Sequence, residues 1–93
     1  MTTDGRTVLR GIFEVTSSIG LPLVTILMMM KEKDQVVDWI DYYQSALDHG
    51  MQSSRVLSRI DSDIVDVYGP EYRDEVMKRL RIFISNQRST NGL

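Results

Sequence analysis

The side chains best equipped for chemistry in this sequence are clustered carboxylates, four tyrosines and a single histidine. Asp61-Ser62-Asp63-Ile64-Val65-Asp66 sets three acids within six residues. On a helix Asp63 and Asp66 share a face while Asp61 points elsewhere, so at most two ligands converge. A calcium loop needs further oxygen ligands, a turn glycine and a terminal Glu at fixed spacing, and none of these is present. The expectation is a solvated acidic face without a metal. Paired carboxylates, or Tyr42, Tyr43, Tyr68 or Tyr72 with an Arg, could exchange protons with a substrate. No spacing selects one pair above another, so a carboxylate-dependent enzyme is the third-ranked reading and no catalytic residue is assigned.

There is no cysteine, which excludes disulfides, thiolate metal sites, redox dithiols and a cysteine nucleophile. His49 is the only imidazole, and its neighbours Asp48 and Gly50 resemble a helix end, where the ring can sit on the last carbonyls. Gly5 and Gly11 do not make a P-loop, and Gly69-Pro70-Glu71-Tyr72 lacks a phosphate-cradling glycine pattern. No cofactor is expected.

Such side chains as remain must be held by helices. A chain of 93 residues, 42% apolar and 26% charged, matches one globular domain over residues 1–93. Its core is thin, so a partner or a second copy would stabilise it appreciably. The start, Met1-Thr2-Thr3-Asp4-Gly5-Arg6, has no secretion-signal pattern, giving a cytoplasmic expectation. The most apolar run, Ile19 to Met30, contains Gly20 and Pro22 and is too short for a bilayer, so no membrane partner is expected.

Apolar spacing at Val8, Leu9, Ile12, Phe13, Thr16 and Ile19 predicts a first helix over 6–18, although the β-branched residues also tolerate a strand over 8–16. Gly20 and Pro22 punctuate the chain before a second helix over 22–49, either continuous or kinked at 31–34 with Asp34 as an N-cap. Gly50 ends it. Ser53 or Ser54 can cap a third helix over 53–68, and Gly69-Pro70 separates this from a fourth over 70–87. The fold class is all-α, a compact bundle of about four helices with antiparallel neighbours.

Charge is segregated along the chain. Residues 34–75 hold ten acids against Arg55, Arg59 and Arg73, whereas residues 76–93 hold Lys78, Arg79, Arg81 and Arg88 and no acid. Internal pairing of antiparallel helices would absorb part of this. The acidic array could also occupy a partner's basic groove as a nucleic acid would. A nucleic-acid-binding regulator using Arg73, Lys78, Arg79, Arg81 and Arg88 is the second-ranked reading, disfavoured by a pI near 5.2.

The leading reading is a small non-catalytic regulator, inhibitor or adaptor that binds another protein. Val36, Ile40, Tyr43 and Leu47 already supply one core stripe, so the second stripe, Trp39, Tyr42 and Ala46, either widens the core or faces a partner. With Asp38 and Asp41 at its rim it suits a basic protein surface. Met28-Met29-Met30 would become a homodimer seam or partner groove if exposed, and is core otherwise. Small inhibitors of this kind are frequent among phage and mobile-element proteins, which gives that origin as a base-rate expectation.

Overall fold

A computed structural model of the chain describes the backbone of residues 2–3 and 6–91 and the side chains of residues 6–87. The element order is β1 (Thr2–Thr3), β2 (Arg6–Leu9), α1 (Ile12–Ile19), α2 (Leu23–Glu32), β3 (Gln35–Val37), α3 (Trp39–Asp48), α4 (Ser53–Tyr68) and α5 (Pro70–Asn91). The protein is mostly helical, as the apolar spacing predicts, but the described residues form five helices and a small sheet in the order β1-β2-β3.

The first expected helix, over 6–18, is corrected. Arg6–Leu9 is extended, antiparallel to β1 and parallel to β3, with Val8 opposite Val36 and Leu9 opposite Val37. Thr7 and Val8 favour this pleated surface because their branched side chains are stiff. Gly11 then adopts the left-handed conformation (φ 78°), which glycine enters without strain, and α1 starts at Ile12. Gly20 closes α1 through its N–H to the Thr16 carbonyl, and Pro22 leads into α2 as expected.

The second expected helix, over 22–49, is also corrected, because residues 33–38 leave the helical path to form β3. Asp34 takes a left-handed turn (φ 54°), donating its N–H to the Lys31 carbonyl at 3.2 Å and accepting the Thr7 N–H at 3.1 Å. It turns the chain rather than capping a helix. Val36 and Val37 then pair with β2, and the cap of α3 is Asp38, whose carboxylate accepts the Asp41 N–H at 3.1 Å. Helices α1 and α2 thus form the crossover that a parallel pair requires.

The third helix occupies its expected span, although Gln52 precedes it without a side-chain cap. Ser53 instead shares a 2.6 Å hydrogen bond with the Tyr43 hydroxyl. Gly69 and Pro70 separate α4 from α5, which continues past the expected limit at 87 to Asn91.

Helix α4 packs against α2, α3 and α5, and its Val56, Ile60 and Ile64 are fully buried together with Leu27 and Leu80. Truncating one of these to Ala leaves a cavity costing about 2–5 kcal/mol. The buried face of α3 consists of Trp39, Tyr42, Tyr43 and Ala46, whereas Ile40, expected in the core, is 37% exposed.

Candidate functional site

A groove of about 610 Å³ runs between one face of the sheet and the first turns of α5. The alternation along β2 places Arg6 and Val8 on this side, with Val36 of β3 beside Val8. Val37 joins the main core and also borders the groove. The start of α3 contributes Asp38, Trp39 and Ile40, and α5 contributes Tyr72, Val76 and Arg79 together with Glu71 and Glu75. Lys31 and Tyr68 complete the charged and aromatic lining. The volume lies in the range of sites that take a small ligand or an inserted side chain.

Hydrogen bonds hold this lining in place. Trp39 Nε1 donates to the Tyr72 hydroxyl at 3.2 Å, and the Tyr68 hydroxyl donates to the Gln35 carbonyl at 3.0 Å. The Tyr68 and Tyr72 rings lie 4.9 Å apart, with the Arg6 guanidinium 5.8 Å from the Tyr72 centroid. Lys31 Nζ donates to the Val67 carbonyl at 2.9 Å, near the end of α4 where a cation is favoured. Arg79 pairs with Glu75 at 2.7 Å.

Burial pushes the Tyr68 phenol up to about 12, with Tyr72 adding to the shift and Arg6 opposing it. Burial also raises Tyr72, against the Trp39 hydrogen bond and the cations Arg6 and Arg79. Both phenols are therefore neutral near pH 7 and not proton-accepting bases; the Tyr68 proton is given to the Gln35 carbonyl, whereas Tyr72, an acceptor from Trp39, keeps its own O–H to donate. Burial raises Asp63 on α4 as well, with Asp66 adding and Arg59 opposing. Among the described residues no three His, Asp or Glu side chains converge in a metal-binding group.

The sequence-predicted aromatic stripe is not an open recognition face. Trp39 (6% exposed), Tyr42 (3%) and Ala46 (0%) are core residues, with Phe13 meeting Tyr42 edge-on at 5.4 Å. Two adjacent helix stripes become one wide buried face because α3 is covered by α1, α4 and α5. Trp39 and its neighbour Asp38 do line the groove, but Tyr42 and Ala46 do not. Asp41 holds the start of α1, accepting the Gly11 N–H at 2.8 Å and facing Arg10 at 3.4 Å. Arg10 also lies 3.9 Å from Asp38.

The predicted basic set is dispersed. Arg73 is tied to Asp61 at 3.2 Å and to Asp74 at 2.9 Å, and Arg79 faces the groove. Lys78 and Arg81 are exposed without an ion pair among the described residues, and Arg81 Nε reaches the Met77 carbonyl at 3.4 Å. The side chain of Arg88 lies outside the described residues. No ion pair joins the acids of α3 to the basic half of α5 among the described residues, so the charge segregation remains at the surface.

His49 sits at its helix end as expected, with Nδ1 2.8 Å from the Ser45 carbonyl. The methionine run is split: Met30 is buried, whereas Met28 and Met29 are 56% and 53% exposed. Sequence reasoning missed the roles of Arg6, Val36 and Tyr68 in the groove. These residues come from separate elements, and the only local signal, branched residues at Thr7-Val8 and Val36-Val37, says nothing about which strand pairs with which.

No helix among the described residues is long and apolar enough to cross a membrane. Neither family models, curated proteins nor solved structures give a match to this chain.

Proposed function

We propose that this chain is a cytoplasmic, single-domain binding protein that acts without catalysis or a cofactor, regulating or inhibiting another protein by taking one of its segments into the groove. The groove itself carries the reading. It has apolar lining at Val8, Val36, Ile40 and Val76, aromatic side chains fixed by hydrogen bonds within the chain, and charges of both signs at Arg6, Lys31, Asp38 and Glu71. Such a lining suits a peptide segment with an apolar side chain flanked by charged ones, since the side chain fills the depression while its neighbours meet the rim. A rim of both signs favours a peptide over a polyanion, which would meet Asp38 and Glu71 as repulsive contacts.

The test uses Ile40→Glu, which puts a carboxylate in the groove at a helix start where acids are favoured, so folding is retained. A partner captured by the wild-type chain should bind this variant at least about tenfold more weakly, a loss of about 1.4 kcal/mol. It should bind a Met28→Glu, Met29→Glu double variant normally. Undiminished binding by Ile40→Glu overturns the groove reading. Salt-sensitive retention on heparin that Lys78→Ala with Arg81→Ala abolishes would support the nucleic-acid alternative instead.

A further inference from the structure

The outward face of α5 is laid out in two halves of opposite sign. Residues 71, 75, 78, 82 and 85 recur at alternating four- and three-residue spacing and are all exposed, as are Asp74 and Arg81 at the margins of the same face. The first half is acidic, with Glu71, Asp74 and Glu75, and the second is basic, with Lys78 and Arg81 around Ile82, which is 52% exposed. The buried side of the helix, Val76 and Leu80, faces the bundle and leaves this outer face exposed, with Asp74 facing Arg73 at 2.9 Å and Glu75 facing Arg79 at 2.7 Å within the chain.

We propose that a second copy of this chain docks on it, the two α5 helices running antiparallel about a two-fold axis. Direction follows from charge. In the antiparallel register Glu75 of one copy opposes Lys78 of the other, and Asp74 lies beside Arg81 of the other, each contact occurring twice by symmetry. Ile82 packs over the methylenes of Glu71 from the second copy. A parallel arrangement would set acid on acid and base on base. A two-signed face of this kind is complementary to its own reverse, which is why a second copy fits it better than a partner of one charge. Lys78 and Arg81, without ion pairs among the described residues, gain them in the dimer. Surface ion pairs contribute little singly, so the association is weak and salt-sensitive. Glu71 and Glu75 also line the groove, so the dimer face and the groove share an edge; self-association of the chain alone reads the first, whereas Ile40→Glu, off this face, reads the second.

Sedimentation equilibrium of the full chain tests it. A concentration-dependent dimer at low salt should weaken by about tenfold or more when salt is raised from about 0.05 M to about 0.5 M. Glu75→Lys alone and Lys78→Glu alone should each be monomeric under conditions where the wild type dimerises. Mixing these two variants should restore a dimer, because Lys at 75 then meets Glu at 78, and Lys78 meets Glu75. A merely structural role for either residue cannot produce that rescue. A chain that stays monomeric to about 1 mM at low salt overturns the proposal. So does a dimer indifferent to both charge reversals, one abolished only by Met28→Glu with Met29→Glu, or a mixture that fails to pair.

Discussion

Trp39 and Tyr72, 33 residues apart, meet through an indole N–H donated to a phenol oxygen at 3.2 Å. This bond ties the first turn of α3 to the first turn of α5, on either side of the groove. Tyr72→Phe keeps the ring but leaves the buried indole N–H without its acceptor. The expected loss is about 1–3 kcal/mol in urea unfolding. Trp39 is the only tryptophan, so a shifted emission maximum in the folded variant should report the change directly. An unchanged midpoint and spectrum would mean the bond is not maintained in solution.

Asp41 fastens a different junction. Its two carboxylate oxygens accept from the Gly11 N–H and from Arg10, holding the β2–α1 turn against α3. Asp41→Ala should destabilise by about 1–3 kcal/mol, because a part-buried N–H loses a charged acceptor. Asp48→Ala, at an exposed position near the end of the same helix, should stay within about 0.5 kcal/mol of wild type. Equal effects from the two substitutions would contradict the assigned role of Asp41.

Alkaline conditions should unfold the protein through its buried phenols. Tyr42, Tyr68 and Tyr72 all have raised proton affinity in the folded state, and Tyr68 reaches about 12. An unfolded tyrosine ionises near pH 10, so between about pH 10 and 12 the unfolded chain holds fewer protons than the native one. The stability present below pH 10 therefore falls as pH rises through this window. Ultraviolet titration at 295 nm should show part of the phenolate absorbance appearing together with the loss of helical circular dichroism. Ionisation of Tyr42, Tyr68 and Tyr72 near pH 10 in a folded chain would refute this.

Dilute hydrogen peroxide should distinguish three consecutive methionines. Met28 and Met29 are more than half exposed, whereas Met30 is 5% exposed, so the first two should form sulfoxides well before the third. Peptide mass spectrometry reads the order. Equal rates at the three positions would show that α2 does not hold this orientation.

The helical spans were legible at Gly20-Leu21-Pro22, Gly50 and Gly69-Pro70, but not at Gly11, through which the expected first helix ran. Gly20-Leu21-Pro22 and Gly69-Pro70 appear as helix breaks because their backbone preferences act locally, and α4 occupies its predicted span between Gln52 and Gly69. The break at 33–38 was not legible. Asp34 in a left-handed turn has no glycine to announce it, and its conformation is held by Thr7 from a distant strand. The candidate site was legible only at Asp38, Trp39 and Arg79, since the remaining lining belongs to elements whose adjacency is tertiary.

By itself the sequence determined a mostly helical chain, an absence of cysteine chemistry and opposite charges on its middle and end, because each depends on residue identity or on spacing within one helical turn. The tertiary structure alone decided that Arg6–Leu9 and Gln35–Val37 are strands, and that the aromatic stripe of α3 is buried. Strand pairing and helix coverage join residues about thirty positions apart in sequence, so their energy exists only once the intervening helices have brought them together.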